Sequence, residues 1–326
     1  MSNKIKKILI SSNVNTLRDG ITERAEKAGI TGINFVFANT HEDSLKEIKD
    51  ADAVVIGDWN RELLAEANKL RWVQCDSGGI SKPVLFPEFV DSTIQLTSLK
   101  PLFGTAGAEA ALFGMLLFSR KANRISNKGL GESLDHIYFP DEITGKTVGI
   151  IGMGYMGRAL AKRAKCLGLQ VLAIARNPRK APDGVDQMFS SSDISRLLGF
   201  SDYVVVCVPN TDETKGMVDD NFLHSMKSSS ILIDLSGRLQ IYNWESIVKA
   251  IENEWIAGIC MQPSGRDETM PPVDSKFWER ENVVVTACRV TSREISSQIP
   301  ELVFENIRRL NQGKQLEGLV DKKSGY

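Results

Sequence analysis

Apolar residues in the first hundred positions follow two alternating patterns. Short runs such as Ile5 to Ser11 and Ala53 to Gly57 have the length and composition of buried strands. Between them, apolar residues recur at three- and four-residue spacing, which is typical of amphipathic helices. The patterns predict strands at 5–11, 32–38, 53–57 and 72–75, and helices at 17–27, 42–49 and 61–67. Alternation of this kind predicts a parallel sheet covered by helices on both faces.

The same alternation returns in the second half of the chain. Strands are predicted at 148–151, 170–174, 203–208, 231–235, 256–261 and 283–286, and helices at 219–227 and 243–252. We therefore expect an α/β fold class with two Rossmann-like domains, each a doubly wound parallel sheet. An amphipathic stretch at 292–311 is expected to cross back to the first sheet, which makes that domain discontinuous.

A third pattern lies between the two halves. Thr105 to Asn123 is a strongly helical run rich in Ala and Leu. Much of its surface must be covered, so we expect either the other domain or a second subunit to pack against it. Residues 124–146 are predicted to be loop and connection, because Gly131 and Pro140 interrupt regular structure.

A glycine-rich turn follows the first predicted strand of the second half. Val148 to Ile151 leads directly into Gly152-Met153-Gly154-Tyr155-Met156-Gly157, and a helical pattern then continues to Gly168. In such a βαβ unit the first glycine permits the tight bend, the second lets the backbone approach a pyrophosphate, and the third lets helix and strand pack closely. The free N–H groups of the helix N-terminus then bind the anion. The sequence therefore predicts a dinucleotide site formed by these six residues.

The residues after the next strand indicate which dinucleotide is bound. An NAD site usually has Asp or Glu there, which binds the ribose 2′-hydroxyl. Here the strand is followed by Arg176-Asn177-Pro178-Arg179-Lys180. A guanidinium can hold a 2′-phosphate through two charge-assisted hydrogen bonds, whereas a carboxylate would repel it. We therefore predict that Arg176, Asn177 and Arg179 contact the cofactor and that NADP(H) is preferred over NAD(H). A merely solvated basic loop is the alternative.

The first half has no glycine fingerprint after its first strand, so we expect it to contact substrate. Asp76-Ser77-Gly78-Gly79-Ile80 follows a predicted strand there, and adjacent glycines would let backbone N–H groups reach a small anion. Ser77, Gly78 and Gly79 are predicted substrate contacts, and a purely structural turn is the alternative. The expected domains are a flavodoxin-like substrate-binding domain, residues 1–99 plus 293–326, and an inserted NAD(P)-binding Rossmann domain, residues 100–292.

Composition and charge disfavour several other classes of protein. The 326 residues carry a formal net charge of −1, so no overall field favours a nucleic acid or an anionic membrane. Because about 18 uncharged apolar residues never occur together, we predict no membrane span. The five cysteines are scattered, without a CxxC or Cys/His cluster that would suggest a metal site. Reduced thiols of a cytoplasmic protein fit this pattern best.

The order of these parts resembles the D-isomer-specific 2-hydroxyacid dehydrogenase family over nearly the whole chain. The matching segments are GKTVGIIGMGYMGRALAKRAKCLGLQVLA (145–173), VPNTDETKGMVDDNFLHSMKSSSILID (208–234), IENEWIAG (251–258) and ENVVVTA (281–287), with the Gly78-Gly79 turn and the helix that contains Glu109. The resemblance implies two Rossmann-like domains, a nicotinamide cofactor in the cleft and usually a homodimer. It also implies hydride exchange between a 2-keto acid and its 2-hydroxy acid. Within the second segment we expect Val208, Pro209 and Thr214 to contact the cofactor.

The resemblance implies a catalytic Arg, Glu and His at three successive strand ends, and this chain departs from the family at all three. A cation must hold the substrate carboxylate and polarise its carbonyl, and an acid must protonate the alkoxide. The arginine position falls on Gly237, with Arg238 one place later. The acidic region is reshaped into QPSGRDETMPP, which leaves Asp267 and Glu268 as the nearest carboxylates. The histidine position carries Cys288, followed by Arg289.

Cys288 and the three histidines each have more than one interpretation. A thiol with its ordinary pKa of about 8.5 could donate a proton at neutral pH, but the neighbouring Arg289 would favour the thiolate. A buried cysteine without a catalytic role is the alternative. His41, His136 and His224 lie in the first domain, the connection and a helix, and are expected to be structural or exposed.

These features predict an NADP(H)-dependent oxidoreductase with a rebuilt proton-relay site. Arg238 or Arg289 would hold an anionic or carbonyl substrate, and Asp267, Glu268 or a bound water would manage the proton. Because the arginine and histidine are both displaced, the substrate need not be a simple 2-keto acid such as pyruvate or glyoxylate. The missing relay favours an alternative of another class, a sensor or regulatory protein that binds NADP(H) without redox turnover. A flavin enzyme is disfavoured, because nothing in the sequence provides the larger isoalloxazine pocket.

Overall fold

The computed structural model describes most of the chain. The described residues are 4–11, 14–80, 82–125, 139–176, 181–263, 265, 268–286 and 292–326. The chain divides into two compact units, the first formed by Met1–Phe103 with Ser292–Tyr326 and the second by Gly104–Thr291. Each unit is built on a parallel sheet with helices between the strands, so the fold class is α/β.

The first unit contains a five-stranded parallel sheet. Its strands are β1 (Lys7–Ser11), β2 (Asn34–Phe37), β3 (Ala53–Ile56), β4 (Trp72–Cys75) and β5 (Gln95–Thr97), in the spatial order β2-β1-β3-β4-β5. Its helices before the second unit are α1 (Asn15–Arg18), α2 (Ile21–Lys27), α3 (His41–Glu47), α4 (Arg61–Glu66) and α5 (Pro87–Val90), with 3-10 turns at Ile48–Asp50, Lys82–Val84 and Lys100–Phe103. This is the strand order of flavodoxin-like sheets.

The two faces of this sheet enter different cores, because successive side chains of a strand point to opposite faces. Ile8 and Ile10 of β1 lie in a core with the C-terminal helix Arg293–Asn311, whereas Leu9 lies in the other core. The C-terminal helix contributes Ile299, Leu302, Val303, Phe304 and Ile307. The last segment of the chain therefore covers one face of the first sheet.

A buried polar network joins the C-terminal helix to the sheet. The Trp72 indole N–H donates to the Thr97 hydroxyl at 2.7 Å, and that hydroxyl donates to Gln74 Oε1 at 2.7 Å. The buried Asn306 amide donates to the same Gln74 oxygen at 3.4 Å and exchanges two hydrogen bonds with the backbone of Glu317. Because buried polar groups without partners are costly, this network specifies how helix and sheet align.

The second unit contains a seven-stranded parallel sheet. Its strands are β6 (Thr147–Ile151), β7 (Gln170–Ile174), β8 (Gln187–Phe189), β9 (Tyr203–Val206), β10 (Ile231–Asp234), β11 (Gly258–Met261) and β12 (Val283–Val285), in the order β12-β11-β10-β9-β6-β7-β8. The strand order reverses at β6, which pairs with β7 on one side and β9 on the other. Ligands of open α/β sheets bind outside the carboxyl ends of the strands at such a reversal.

The helices of the second unit lie between these strands. They are α6 (Gly104–Ser119), α7 (Ala122–Ile125), α8 (Tyr155–Cys166), α9 (Ile194–Phe200), α10 (Asp220–His224) and α11 (Trp244–Glu252), with 3-10 turns at Ser191–Asp193, Leu239–Ile241 and Lys276–Glu279. The C-terminal helix Arg293–Asn311 is α12.

Helix α6 packs into the second unit through its small residues. A Cβ added at Gly107 would lie 2.7 Å from the sulfur of Met156, and one at Gly114 would lie 3.1 Å from the sulfur of Cys260. By length and composition alone, Lys100–Ser119 would qualify as a membrane span, with a mean hydropathy of 1.5. The close packing of α6 against α8 and β11 accounts for the small and apolar residues on its buried face.

The structure differs from the predicted elements in several places. The predicted helix 17–27 is two helices, α1 and α2, because Gly20 between them has a left-handed φ of 65°. The helix predicted at 105–123 ends at Ser119, since Lys121 has a φ of 58°. The strand predicted at 203–208 ends at Val206. The patterns missed β5, β8, α5 and α9, which are too short to show a clear period.

Candidate functional site

Two glycines of the turn between β6 and α8 are required by the protein around them. Gly152 directly follows β6 and has a φ of 107°, which other residues rarely adopt. A Cβ at Gly152 would lie 2.8 Å from the Cys207 carbonyl oxygen, and a Cβ at Gly157 would collide with the Gly152 carbonyl oxygen. These glycines therefore allow strand, turn and helix to approach closely.

Gly154 has no such internal requirement. A Cβ there would meet nothing within 4 Å, and its φ of −74° suits any residue. Gly154 is the N-cap of α8, where no described side chain caps the helix and no acidic residue lies in the first turn. A helix N-terminus has free N–H groups and partial positive charge. The open space beside Gly154 therefore suits an anion such as a pyrophosphate.

The remaining residues of the turn attach it to neighbouring parts of the second unit. Met153 is buried, and its carbonyl oxygen accepts a 2.9 Å hydrogen bond from Arg158 Nε. Met156 packs on α6, and Tyr155 is partly exposed. The buried Cys207 thiol donates to the Gly152 carbonyl oxygen at 2.9 Å, and burial raises the pKa of this thiol to about 12. The thiol is therefore a neutral structural donor near pH 7.

Arg176 lies just beyond β7 and forms an ion pair with a residue of another loop. Its Nη2 is 2.6 Å from Oε1 of Glu213, and both side chains are more than half exposed. Asn177 and Arg179, the other two residues predicted here, lie outside the described residues. The guanidinium predicted to bind a 2′-phosphate thus has a carboxylate beside it.

The loop after β9 contains the other predicted cofactor residues. Val208 lies beside Gly152, and Pro209 is exposed. The Thr214 hydroxyl donates to the Pro209 carbonyl oxygen at 2.7 Å and accepts from the Thr211 N–H at 2.9 Å. Thr214 therefore closes the loop, whereas Val208 borders the glycine turn.

A buried carboxylate holds the turn after β10. Asp234, the last residue of β10, is fully buried. It accepts hydrogen bonds from the Ser236 N–H at 2.8 Å and hydroxyl at 2.5 Å, from the Gly237 N–H at 3.2 Å and from the Tyr242 hydroxyl at 2.7 Å. Burial raises the pKa of Asp234, and the donors oppose that shift by stabilising the carboxylate.

The same turn presents Arg238 to solvent. Gly237 has a φ of 58°, and the Arg238 N–H donates to the Ser236 hydroxyl at 3.1 Å. An arginine at position 237 would have to adopt the left-handed conformation that favours glycine. The turn as folded therefore favours glycine at 237, the position that the family resemblance assigns to arginine, and the guanidinium follows at 238.

Part of the predicted catalytic set lies outside the described residues, namely Asp267, Cys288 and Arg289. Glu268 is exposed in the segment that follows β11. Because β10 and β11 are parallel neighbours, Arg238 and Glu268 follow strands whose carboxyl ends lie at the same edge of the sheet. Both residues therefore lie in loops that leave the same edge of the sheet.

The described histidines lie on the surface and make local contacts. His41 Nε2 is 2.8 Å from Glu62 Oε2. The His224 ring lies 3.8 Å from the Trp255 ring, between centroids, and its Nδ1 is 2.8 Å from the Asp220 carbonyl oxygen. In the part of the chain that the structure describes, no group of three His, Cys, Asp or Glu side chains could hold a metal ion.

In the first unit, Ser77, Gly78 and Gly79 form the turn that follows β4. The Ser77 hydroxyl donates to the Gly79 carbonyl oxygen at 2.8 Å. A Cβ at Gly78 would lie 2.7 Å from the Phe103 ring, so packing alone requires glycine there. Ser77 and Gly79 are exposed, and their contact with substrate stays a prediction.

Sequence reasoning missed two charged residues of the second unit. Asp234 carried a signal, because a carboxylate ends the apolar strand ILID and a buried charge needs several partners. Glu213 carried none, since it lies 37 residues from Arg176 in the sequence. Its role depends on how the loops after β7 and β9 meet.

Comparison with known proteins places the second unit in a family. The model of the D-isomer specific 2-hydroxyacid dehydrogenase NAD binding domain matches residues 112–288. A glyoxylate reductase of Pyrococcus horikoshii is 29% identical over 294 residues, covering 86% of this chain and 85% of the relative. A glyoxylate reductase of Korarchaeum cryptofilum is 28% identical over 291 residues, with the same coverage of 86% and 85%.

Two solved structures share the fold. An NADPH-dependent glyoxylate/hydroxypyruvate reductase from Sinorhizobium meliloti, in complex with NADP and sulfate, has a TM-score of 0.77 at 21% identity, covering 98% of this chain and 100% of that one. A D-isomer specific 2-hydroxyacid dehydrogenase from Xanthobacter autotrophicus, in complex with NADPH and MES, has a TM-score of 0.78 at 22% identity, covering 99% and 100%. This chain therefore belongs to the D-isomer specific 2-hydroxyacid dehydrogenase family, a family of nicotinamide-dependent oxidoreductases that act on CH–OH groups.

Proposed function

We propose that this protein is an NADP(H)-dependent oxidoreductase that interconverts a small 2-keto acid, or a related carbonyl compound, and the corresponding hydroxy compound. The observation that carries the proposal is the turn from Gly152 to Gly157, which leaves open space beside Gly154 at the uncapped N-terminus of α8. Family membership and the relatives named glyoxylate reductase support the same class of reaction.

The residues of the second unit fit a nicotinamide dinucleotide. Gly154 and the N-terminal turn of α8 would hold the pyrophosphate. Val208 borders the glycine turn, and Pro209, the next residue, is a further proposed contact. When bound, the nicotinamide exchanges a hydride with the substrate carbon. Arg176 supports a preference for NADP(H) over NAD(H), because its guanidinium suits the extra phosphate and no carboxylate follows β7 directly. Asn177 and Arg179 are further proposed contacts.

Arg238 is the proposed cation for the substrate. It lies at the carboxyl end of β10 on a turn that Asp234 holds, and an exposed guanidinium there can bind a carboxylate and polarise a carbonyl. Arg289 is the alternative cation. Asp267, Glu268, Cys288 or a bound water would move the proton. Ser77, Gly78 and Gly79 are the proposed contacts from the first unit.

A homodimer in the cytoplasm is the proposed assembly and location. Phe113 and Leu116 lie one turn apart on α6 and are 52% and 43% exposed, which gives an apolar surface suited to a second copy. The four described cysteines, Cys75, Cys166, Cys207 and Cys260, are free thiols, which suits a reducing compartment. With a net charge of −1, no nucleic acid or membrane partner is proposed.

The test is NADPH oxidation against a panel of 2-keto acids, aldehydes and cyclic ketones, beginning with glyoxylate. We expect turnover of at least one compound, and a loss of about 100-fold or more in kcat/KM when Arg238 is replaced by alanine, because transition-state charge loses its donor. Arg196→Ala is the matched control, since Arg196 pairs with Asp193 elsewhere in the same unit. Tight NADPH binding without turnover of any compound would instead support the sensor or regulatory protein.

A further inference from the structure

An ion pair between Arg176 and Glu213 joins the loops that follow the two neighbours of β6. Arg176 lies two residues beyond β7, and Glu213 lies in the loop that follows β9. Strands β7 and β9 pair with β6 from opposite sides, and the glycine turn begins directly after β6. The 2.6 Å contact therefore joins the two loops that flank the carboxyl end of β6.

This pair adds little to the stability of the fold. The side chains of Arg176 and Glu213 are 55% and 65% exposed, and exposed ion pairs contribute little in water. The pair can therefore open at small cost when another anion reaches the guanidinium. Until it opens, the carboxylate neutralises the charge that would attract a phosphate.

The two members of the pair favour different dinucleotides. A guanidinium binds a ribose 2′-phosphate through charge-assisted hydrogen bonds. A carboxylate accepts a hydrogen bond from an unmodified ribose 2′-hydroxyl and repels a phosphate. Rossmann sites usually place that carboxylate at the end of the second strand, whereas here it comes from the loop after β9.

We propose that Glu213 is a specificity-determining residue that competes with the cofactor 2′-phosphate for Arg176. The preference for the phosphorylated dinucleotide is set by Arg176 and reduced by Glu213, so the protein retains affinity for both cofactors. This inference rests on the proposed function, because it requires a nicotinamide dinucleotide at the glycine turn. It assigns the ratio of the affinities for the two cofactors to one pair of side chains.

The test compares dissociation constants of NADPH and NADH for the full-length wild type, Glu213→Gln, Arg176→Ala and the double variant, at one low ionic strength. Glu213→Gln is expected to tighten NADPH binding about three- to tenfold and to leave NADH binding unchanged or weaker. Arg176→Ala is expected to weaken NADPH binding more than tenfold and to remove the effect of the Gln substitution. Glu245→Gln is the control, because it removes the same charge from a 2.7 Å pair with Lys249 on α11.

The possible outcomes separate this inference from the proposed function. If Arg176→Ala weakens NADPH binding but Glu213→Gln leaves the NADPH to NADH ratio unchanged, the role of Glu213 is overturned and the NADP(H) preference stands. The role of Glu213 is also overturned if Glu213→Gln lowers the dissociation constants of NADPH and NADH equally. It is likewise overturned if Glu245→Gln tightens NADPH binding as much as Glu213→Gln does, because the cause would then be the change in net charge. If the wild type binds neither cofactor, the proposed function fails and this inference fails with it.

Discussion

The Tyr242 hydroxyl donates a 2.7 Å hydrogen bond to Asp234 Oδ1, and both side chains are buried beneath the turn that carries Arg238. The other donors to Asp234 come from Ser236 and Gly237, the two residues that precede Arg238. One buried carboxylate therefore sets the backbone of the whole turn. The position of the proposed substrate cation depends on side chains that would not touch the substrate themselves.

Replacing Tyr242 by phenylalanine should lower both stability and catalysis. The change removes one donor from a buried carboxylate, which costs about 1.5–3 kcal/mol in the free energy of unfolding. Because the turn then loses a restraint, we also expect a higher KM for the substrate and little change in the dissociation constant of NADPH. Urea unfolding and steady-state kinetics measure these effects.

Tyr203→Phe is the matched control for that change. Tyr203, the first residue of β9, is also buried. Its hydroxyl interacts with the neutral Ser119 side chain. Loss of the Tyr203 hydroxyl should lower the free energy of unfolding less than loss of the Tyr242 hydroxyl, and it should leave the substrate KM unchanged. An unchanged KM in Tyr242→Phe would show that the Asp234 hydrogen bonds do not position Arg238.

The glycines of the turn should respond in opposite ways to substitution. Gly157→Ala introduces a collision with the Gly152 carbonyl oxygen, so we expect a loss of about 1–3 kcal/mol in stability. Gly154→Val has open space and a permitted backbone, so its melting temperature should stay near that of the wild type. Its side chain would occupy the proposed pyrophosphate position, and NADPH binding should weaken more than about tenfold. Equal NADPH affinity in Gly154→Val and wild type would contradict the proposed cofactor position.

Three buried thiols should make the free energy of unfolding fall at alkaline pH. Burial raises the pKa of Cys75, Cys207 and Cys260 to about 12, well above the value of about 8.5 for an exposed thiol. The folded state keeps these protons at pH values where the unfolded chain releases them. This contribution to stability is complete below about pH 8.5 and is lost as the pH rises toward 12, by about 1.4 kcal/mol per pH unit for each thiol.

Urea unfolding at a series of alkaline pH values measures that dependence. Cys260→Ala should show a shallower fall in stability with pH than the wild type, because one of the linked groups is gone. Its absolute stability is also lowered by the lost packing against α6, so the slopes are compared and not the stabilities. Parallel pH profiles would show that Cys260 does not titrate in this way.

The sequence predicted the parts of the fold that local patterns specify. The glycine turn after β6 is recognised by the fixed spacing of its glycines, and the central strands are recognised by their apolar runs. The structure contains both. The apolar pattern predicts one helix through Gly20, because such a pattern does not show that a single residue has a positive φ. Short edge strands such as β8 bury too few residues to produce a readable pattern.

The candidate site was harder to predict because its contacts join distant parts of the chain. Arg176 was identified from its place after a strand, but its pairing with Glu213 depends on which loops meet across β6. The arginine at 238 is visible in the sequence, whereas the left-handed conformation of Gly237 and its hydrogen bond to Asp234 required the structure. The assignments of Asp267, Cys288 and Arg289 stay predictions.

Hydride transfer itself is the most direct test of the account. NADPH carrying deuterium at C4 of the nicotinamide, one face at a time, would be incubated with the wild-type protein and each carbonyl compound of the panel, and the hydroxy product analysed by mass spectrometry. We predict that one of the two labelled forms gives a product with deuterium on the former carbonyl carbon, and that the yield falls about 100-fold or more in Arg238→Ala. Tight binding of NADPH with no deuterium in any product, from either labelled form, would contradict the proposed activity.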